Sequence, residues 1–259
     1  MRFRPCIDIH DGKVKQIVGG SLNDEKGAKE NFVAEYDAAH FAYIYKENNL
    51  SGGHVIILNK IGTDEYMASK EQAFLALSAF RDGMSVGGGI TEENAPEFIE
   101  AGAYAVIVTS YVFNNGRVDM DRLERLSKNV GRKHLILDLS CRKKDGRYFI
   151  VTDRWQKFTD TELSVSVMHE LEQYACEFLI HAVDAEGKQS GIEQDVFGIL
   201  SEYRQDKDSV PVTYAGGVHN LSDIDIINRL GAGKVDVTIG SALDLFGGNL
   251  SLREVLSHI

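Results

Sequence analysis

Eight short β-like runs alternate with eight helical patterns along this chain, and no other feature restricts its fold as strongly. The expected strands are Phe3–Ile9, His54–Asn59, Met84–Gly87, Ala103–Thr109, His134–Ser140, Phe178–Val183, Pro211–Ala215 and Val235–Ile239. The expected helices, read from apolar residues at a 3.6-residue period, are Asp37–Glu47, Glu65–Phe80, Glu92–Ala101, Asp119–Asn129, Glu162–Tyr174, Glu193–Arg204, Leu221–Leu230 and a short final one at Leu252–Ser257. Strands separated by helices run parallel, because only a crossover connection brings the chain back in the same direction. Eight such units in 259 residues favour a closed ring over an open sheet, since barrels of this kind take about 250 residues. The reading is therefore α/β: one (β/α)8 barrel in a single domain.

Two connections are long. Gly19–Asn31 is polar, with Leu22 and Ala28 its only aliphatic side chains, and reads as a mobile loop. Cys141–Asp160 holds Asp145-Gly146 between Lys144 and Arg147, followed by Tyr148-Phe149-Ile150-Val151, a hairpin signal. Both follow strands, on the face where barrel enzymes build their sites.

The chain also repeats itself. Asp8 sits in Cys6-Ile7-Asp8-Ile9 and Asp138 in Leu137-Asp138-Leu139-Ser140, 130 positions later. Gly87-Gly88-Gly89-Ile90 closes the third strand and Ala215-Gly216-Gly217-Val218 the seventh; Thr109-Ser110 ends the fourth and Gly240-Ser241 the eighth. The intervals agree, with 80 positions from Asp8 to Gly88 and 78 from Asp138 to Gly216. Two half-barrels, approximately 1–131 and 132–259, follow from this. Paired glycines let backbone N–H groups approach a phosphate closely. Ser110 and Ser241 are expected to add hydroxyl donors and to cap the next helix. One such site per half suits a substrate with a phosphate at each end. An aspartate among apolar neighbours has its pKa raised toward neutrality, and two carboxylates in different surroundings can serve as acid and base. Asp8 and Asp138 are the candidate catalytic pair.

A net charge of −11 argues against nucleic-acid binding, which needs a basic footprint. Cys6, Cys141 and Cys176 are odd in number and lack any CxxC pair, so they read as free thiols. No signal-peptide pattern and no apolar run near the ~20 residues that span a bilayer is present, which predicts a soluble, cytoplasmic protein without membrane partners.

Taken together, Pro5-Cys6-Ile7-Asp8-Ile9-His10-Asp11-Gly12-Lys13-Val14, Gly87–Ile90, Asp138, Ala215-Gly216-Gly217 and Gly240-Ser241 resemble the HisA isomerase family of histidine biosynthesis. Asn31-Phe32-Val33, Leu139-Ser140-Cys141-Arg142-Lys143, Phe178–Ala182 and Phe246–Leu250 are phrases of its eukaryotic-type branch. The resemblance implies an Amadori rearrangement of ProFAR, the ribosylformimino-aminoimidazole carboxamide ribotide, to its ribulosyl form, with no metal or organic cofactor. It implies that Asp138 is the acid that opens the ribose ring and Asp8 the base that takes the C2′ proton. Gly88, Gly89, Thr109 and Ser110 would hold one phosphate, and Gly216, Gly217, Gly240 and Ser241 the other, with Gly19 added from the first loop. Gln16, Arg154, Trp155, His181, Asp184 and Glu186 become candidate substrate contacts, Trp155 by stacking. Family habit implies a monomer. The chain departs from most bacterial members at the sixth strand end, where His181-Ala182-Val183-Asp184 replaces a Thr-Asp pair, so His181 or Asp184 would fill the hydroxyl's role; it departs also at Leu58-Asn59, Thr91 and Gln16. Two alternatives remain: the related HisF-type cyclase, which needs a glutaminase partner, and a barrel that binds phosphosugars without catalysis.

Overall fold

A computed structural model of the chain describes residues 1–18, 21, 29–186 and 191–259. Gly19 and most of the expected mobile loop lie outside the described residues. Eight parallel strands form the centre: β1 Cys6–His10, β2 Gly53–Ile57, β3 Met84–Gly87, β4 Val106–Val108, β5 Leu135–Asp138, β6 Glu177–His181, β7 Val212–Ala215 and β8 Val235–Thr238. Each pairs with its neighbour in chain order. The ring closes just before β1, where Phe3 bridges Val237 in parallel. There the Arg4 N–H donates to the Val237 carbonyl at 2.8 Å and the Val237 N–H to the Arg2 carbonyl at 3.0 Å. Pro5 has no N–H to donate, which is why the expected strand Phe3–Ile9 splits into a bridge and a strand.

The helices are α1 Ala38–Glu47, α2 Asp64–Ala79, α3 Ala95–Ala101, α4 Met120–Val130, α5 Val165–Leu171, α6 Phe197–Tyr203, α7 Leu221–Leu230 and α8 Leu252–His258. Side chains with short polar ends start most of them. Asp37, Thr63, Asp119, Ser164 and Asn220 each accept a backbone N–H of the first turn. The fifth helix is shorter than expected because Lys157–Glu162 is a strand. Pro96 in the first turn delays α3 to Ala95. The expected capping by Ser110 and Ser241 does not occur: Ser110 opens a short 3₁₀ turn, and Asp119 and Ser251 cap α4 and α8. The connections after β4 and β8 are too long for the strand-end serine to reach the helix.

Alternation along the strands sorts the side chains into two cores. Ile7, Ile9, Val55, Val86, Leu137, Phe178, Ile180, Tyr214 and Val237 point outward and pack with Phe41, Leu77, Phe98, Leu123, Leu200 and Ile227 of the helices. The positions between them fill the ring in layers. At the strand starts lies an ionic layer: Arg4 reaches across the interior to Glu177 at 3.2 Å and to Asp236 at 3.0 Å, and Thr213 donates to Glu177 at 2.6 Å. Burial alone would raise the Glu177 carboxyl; His54 and Arg4 beside it hold it below the usual carboxylate range. Above sits an apolar layer of Ala105, Ile107, Ile136, Leu179 and Ala215. Two residues further along β5 and β6 come Asp138 and His181, and Asp8 of β1 joins them at the open end.

Among the described residues, three hairpins at that end turn on an Asp-Gly or Asn-Gly pair with both residues at positive φ. Asp11-Gly12 joins β1 to Lys13–Ile17, which pairs on with Glu30–Val33. Asn115-Gly116 joins Phe113–Asn114 to Arg117–Val118. Asp145-Gly146 joins Cys141–Lys144 to Arg147–Thr152, as expected, and Lys157–Glu162 adds a third strand. The three cysteines are free thiols.

Candidate active site

Among the described residues, two cavities open at the carboxyl ends of the strands. The first, about 310 Å³, is lined by Gly88, Gly89, Thr109, Ser110, Asp138, Arg154 and Trp155 among others. The second, about 60 Å³, is lined by Asp8, His181, Glu186, Gly216, Gly217, Gly240 and Ser241 among others. Ile56 lines both. The halves are crossed: the glycine pair of the first half shares a cavity with Asp138, and that of the second half with Asp8. Ring order causes this, because β5 follows β4 and β1 follows β8.

The glycine turns require glycine. Gly88 has φ +100° and Gly216 φ +119°, and a Cβ at either would collide with the backbone carbonyl of Ile57 or Ala182. In this conformation the chain runs flush against the neighbouring strand end.

Asp138 is held by donors. Its Oδ1 accepts the Ser140 N–H at 2.8 Å and the Ser140 hydroxyl at 2.7 Å, while Oδ2 accepts the Thr109 hydroxyl at 2.9 Å. The Thr109 side chain, expected on a phosphate, is thus committed to the carboxylate. Ser140 was not singled out from sequence. The signal was its place two residues after an aspartate, the spacing at which a carboxylate accepts a nearby backbone N–H.

Asp8 is different. It receives the Gln16 side-chain amide at 3.2 Å. Burial, reinforced by the charge of Glu186 and opposed by His181 and Gln16, pushes its pKa from 3.8 up to about 7. Gln16 is almost fully buried, so it braces Asp8 from the strand that follows the first turn.

His181 ends β6 with Nε2 at 2.8 Å from Glu186 Oε2. Its ring meets Trp155 edge-on, with centroids 4.7 Å apart and planes at 83°. The Trp155 indole N–H donates to the Ser140 hydroxyl at 3.1 Å, and Asp153, Arg154 and Trp155 are consecutive residues at positive φ. That left-handed turn carries the tryptophan back over the mouth. Ser110 accepts the Asp153 N–H at 2.9 Å, tying this loop to the first cavity. Asp184 lines neither cavity; it pairs with Arg142 at 2.9 Å and fastens the fifth loop to the sixth. Of the two residues expected to replace the missing hydroxyl, His181 is the one in the cavity. Asn59 is a brace as well, bonding both Asp11 and Ser69.

The arrangement offers two glycine-pair turns, two aspartates in unlike settings and an imidazole in the cavity of Asp8. A family model described as histidine biosynthesis protein matches residues 2–250. A chloroplastic protein of Medicago truncatula is 50% identical over 99% of this chain and 81% of its own length. Relatives from Neurospora crassa and Saccharomyces cerevisiae are 48% and 42% identical over 98% and 96% of this chain, and over 96% and 94% of their own lengths. All three bear the name 1-(5-phosphoribosyl)-5-((5-phosphoribosylamino)methylideneamino)imidazole-4-carboxamide isomerase. With nearly its whole length matched both by the family model and by these relatives, the chain belongs to the histidine biosynthesis protein family.

Proposed function

We propose that this chain is an aldose–ketose isomerase that converts ProFAR to its ribulosyl isomer by an Amadori rearrangement. The observation that carries the reading is the pairing, in each of two adjoining cavities, of one strand-end aspartate with one glycine-pair turn. The isomerase names of the relatives favour it over the cyclase alternative.

The half-barrels 1–131 and 132–259 each contribute one anion cradle. Gly88, Gly89, Thr109 and Ser110 take one phosphate; Gly216, Gly217, Gly240 and Ser241 take the other. Asp138 delivers a proton to the ring oxygen as the C1′–O bond breaks and the amine lone pair forms C1′=N. Asp8 removes the C2′ proton, and the electron pair moves into that C1′=N system. Asp8 then returns a proton to C1′ while the 2′-hydroxyl gives its proton back to Asp138, leaving a ketone at C2′. Hydrogen has moved from C2′ to C1′ and from one sugar oxygen to another, so both aspartates end as they began. A base with a pKa near the working pH is the strongest that remains ionised, which suits Asp8. Trp155 stacks on the imidazole carboxamide at the mouth.

Among the described residues no helix is long and apolar enough to cross a membrane. A monomer acting in the cytoplasm, without nucleic acid or membrane, completes the proposal. Purified protein should turn over ProFAR alone, and Asp8→Asn and Asp138→Asn should each cost roughly 10²-fold or more in kcat with modest changes in KM. Turnover that appears only with ammonium salts or a glutaminase points to the cyclase instead. Binding without any turnover points to the non-catalytic barrel.

A further inference from the structure

Trp155 and Asp138 are joined through a single hydroxyl. Ser140 is fully buried, and both of its backbone groups are committed: the N–H donates to Asp138 Oδ1 at 2.8 Å, and the carbonyl accepts the Val151 N–H at 2.9 Å. Its hydroxyl accepts the Trp155 indole N–H at 3.1 Å and donates to Asp138 Oδ1 at 2.7 Å. An indole nitrogen can only donate, and a hydroxyl has one proton to give. The chain of bonds therefore runs one way, from indole through serine to aspartate, and each bond polarises the next.

The loop that carries the indole is strained. Asp153, Arg154 and Trp155 stand at φ +51°, +55° and +68°, a left-handed run that side chains avoid and that persists only where contacts hold it. Two serines hold it here. Ser110, at the end of β4, accepts the Asp153 N–H at 2.9 Å, and Ser140, after β5, accepts the indole N–H. The His181 ring bears edge-on against the same indole. Ser140 also distinguishes the two oxygens of Asp138. An aspartate side chain offers about four lone-pair positions, two on each oxygen. Ser140 fills both on Oδ1 and Thr109 fills one on Oδ2, so among the described residues the open position belongs to Oδ2.

We propose that Ser140 is a positioning residue that ties the orientation of Asp138 to the seating of Trp155 and leaves Oδ2 as the oxygen that exchanges protons with substrate. The inference rests on the isomerase reading, and within it on Trp155 stacking against the imidazole carboxamide. A flat ring laid on the indole keeps it in its plane with the N–H on Ser140, and Ser140 in turn holds Oδ1 still. The proton leaves Oδ2 for the ring oxygen and comes back to it from the 2′-hydroxyl, so neither Ser140 nor Trp155 gains or loses one. Ser140 lines neither cavity, and it acts on the reaction through Asp138.

The test uses the full chain and ProFAR. Ser140→Ala should lower kcat about 10-fold with KM within about threefold, the pattern of a lost donor to the acting group rather than a lost binding contact. Trp155→Phe keeps an aromatic plane but has no donor, and its kcat should fall about fivefold. The double variant decides the coupling. With Ser140 gone the indole N–H has nothing left to act on, so kcat should fall about 10-fold, not the roughly 50-fold of independent effects. Trp155 is the only tryptophan in the chain, so its emission reports the tie directly, and acrylamide should quench it more strongly in ligand-free Ser140→Ala than in wild type. A serine that merely packs gives neither the non-additive kcat nor the change in quenching. Losses that multiply in the double variant, unchanged quenching, or near-normal kcat in Ser140→Ala would overturn the coupling while wild-type turnover keeps the isomerase reading intact. Wild-type protein inert toward ProFAR would overturn both.

Discussion

Gln16 donates its side-chain amide to Oδ2 of Asp8 across 3.2 Å, from the strand that folds back after the first turn. This bond stabilises the ionised carboxyl against burial and the charge of Glu186, which together lift Asp8 to about 7. As the proposed base, Asp8 would work only when ionised, so kcat/KM should fall as pH drops below about 7. Removing the amide leaves the lifting effects less opposed. In Gln16→Met the acidic limb should therefore move to higher pH, with the rate recovering toward wild type under alkaline conditions. An acidic limb that stays in place in this variant means that a group other than Asp8 sets it.

The same perturbation costs stability. The folded chain holds the Asp8 proton up to about 7, whereas the unfolded one releases it near 3.8. Between those values the folded state binds more protons, so stability falls as pH rises, and above the window the full cost applies. A shift of about three pKa units corresponds to an upper bound of ~4 kcal/mol at roughly 1.4 kcal/mol per unit. Asp8→Asn, slowed roughly 10²-fold or more, should thus melt several degrees higher at pH 8. The gain should shrink toward pH 4. Thermal unfolding at both pH values checks this, and an Asn variant less stable than wild type at pH 8 contradicts it.

Thr109 reads from sequence as a phosphate ligand, but its hydroxyl lies 2.9 Å from Asp138. The two roles separate kinetically. Loss of a phosphate contact weakens binding and raises KM, whereas loss of a donor to the acting carboxylate lowers kcat. Thr109→Val should lower kcat about 10-fold with KM little changed, the scale of ~1.5 kcal/mol for one hydrogen bond to a charged group. Ser140→Ala removes a donor from the other oxygen and should behave alike. A raised KM with normal kcat in Thr109→Val returns that side chain to the phosphate.

The alternation of period-two and period-3.6 segments made the barrel legible, because every strand buries both faces and every helix one. The matched spacing of Asp8 with Gly88 and of Asp138 with Gly216 located the mouth. What the pattern did not reveal is set by partners distant in the chain. Gln16 reads from sequence as a candidate substrate contact, and only the hairpin on Asp11-Gly12 shows it placed against Asp8. That turn carries the same Asp-Gly signal that revealed Asp145-Gly146, and Asn115-Gly116 is a third instance; short flanking strands hid two of the three. Likewise Asp184 has the sequence profile of a site residue, and only the fold shows it bound to Arg142 outside both cavities.

The two proposed anion cradles give the most direct physical test. Gly88 and Gly216 hold equivalent left-handed conformations, at φ +100° and +119°, each pressed against the carbonyl of a neighbouring strand end. Alanine at either position meets backbone, which cannot give way as a flexible side chain would, so the turn must open and its N–H groups lose their common focus. The damage should stay in one cavity, since the cradles belong to different strands and share only Ile56 among their linings. Calorimetric titration with inorganic phosphate should find two sites on the wild-type chain and one on each of Gly88→Ala and Gly216→Ala. For ProFAR each variant should raise KM by about 10-fold or more, the scale of ~1.4 kcal/mol or more of lost binding. Two undiminished phosphate sites in both alanine variants would remove the cradles from the binding scheme, because anions held by flexible surface lysines or arginines are indifferent to a Cβ at these turns.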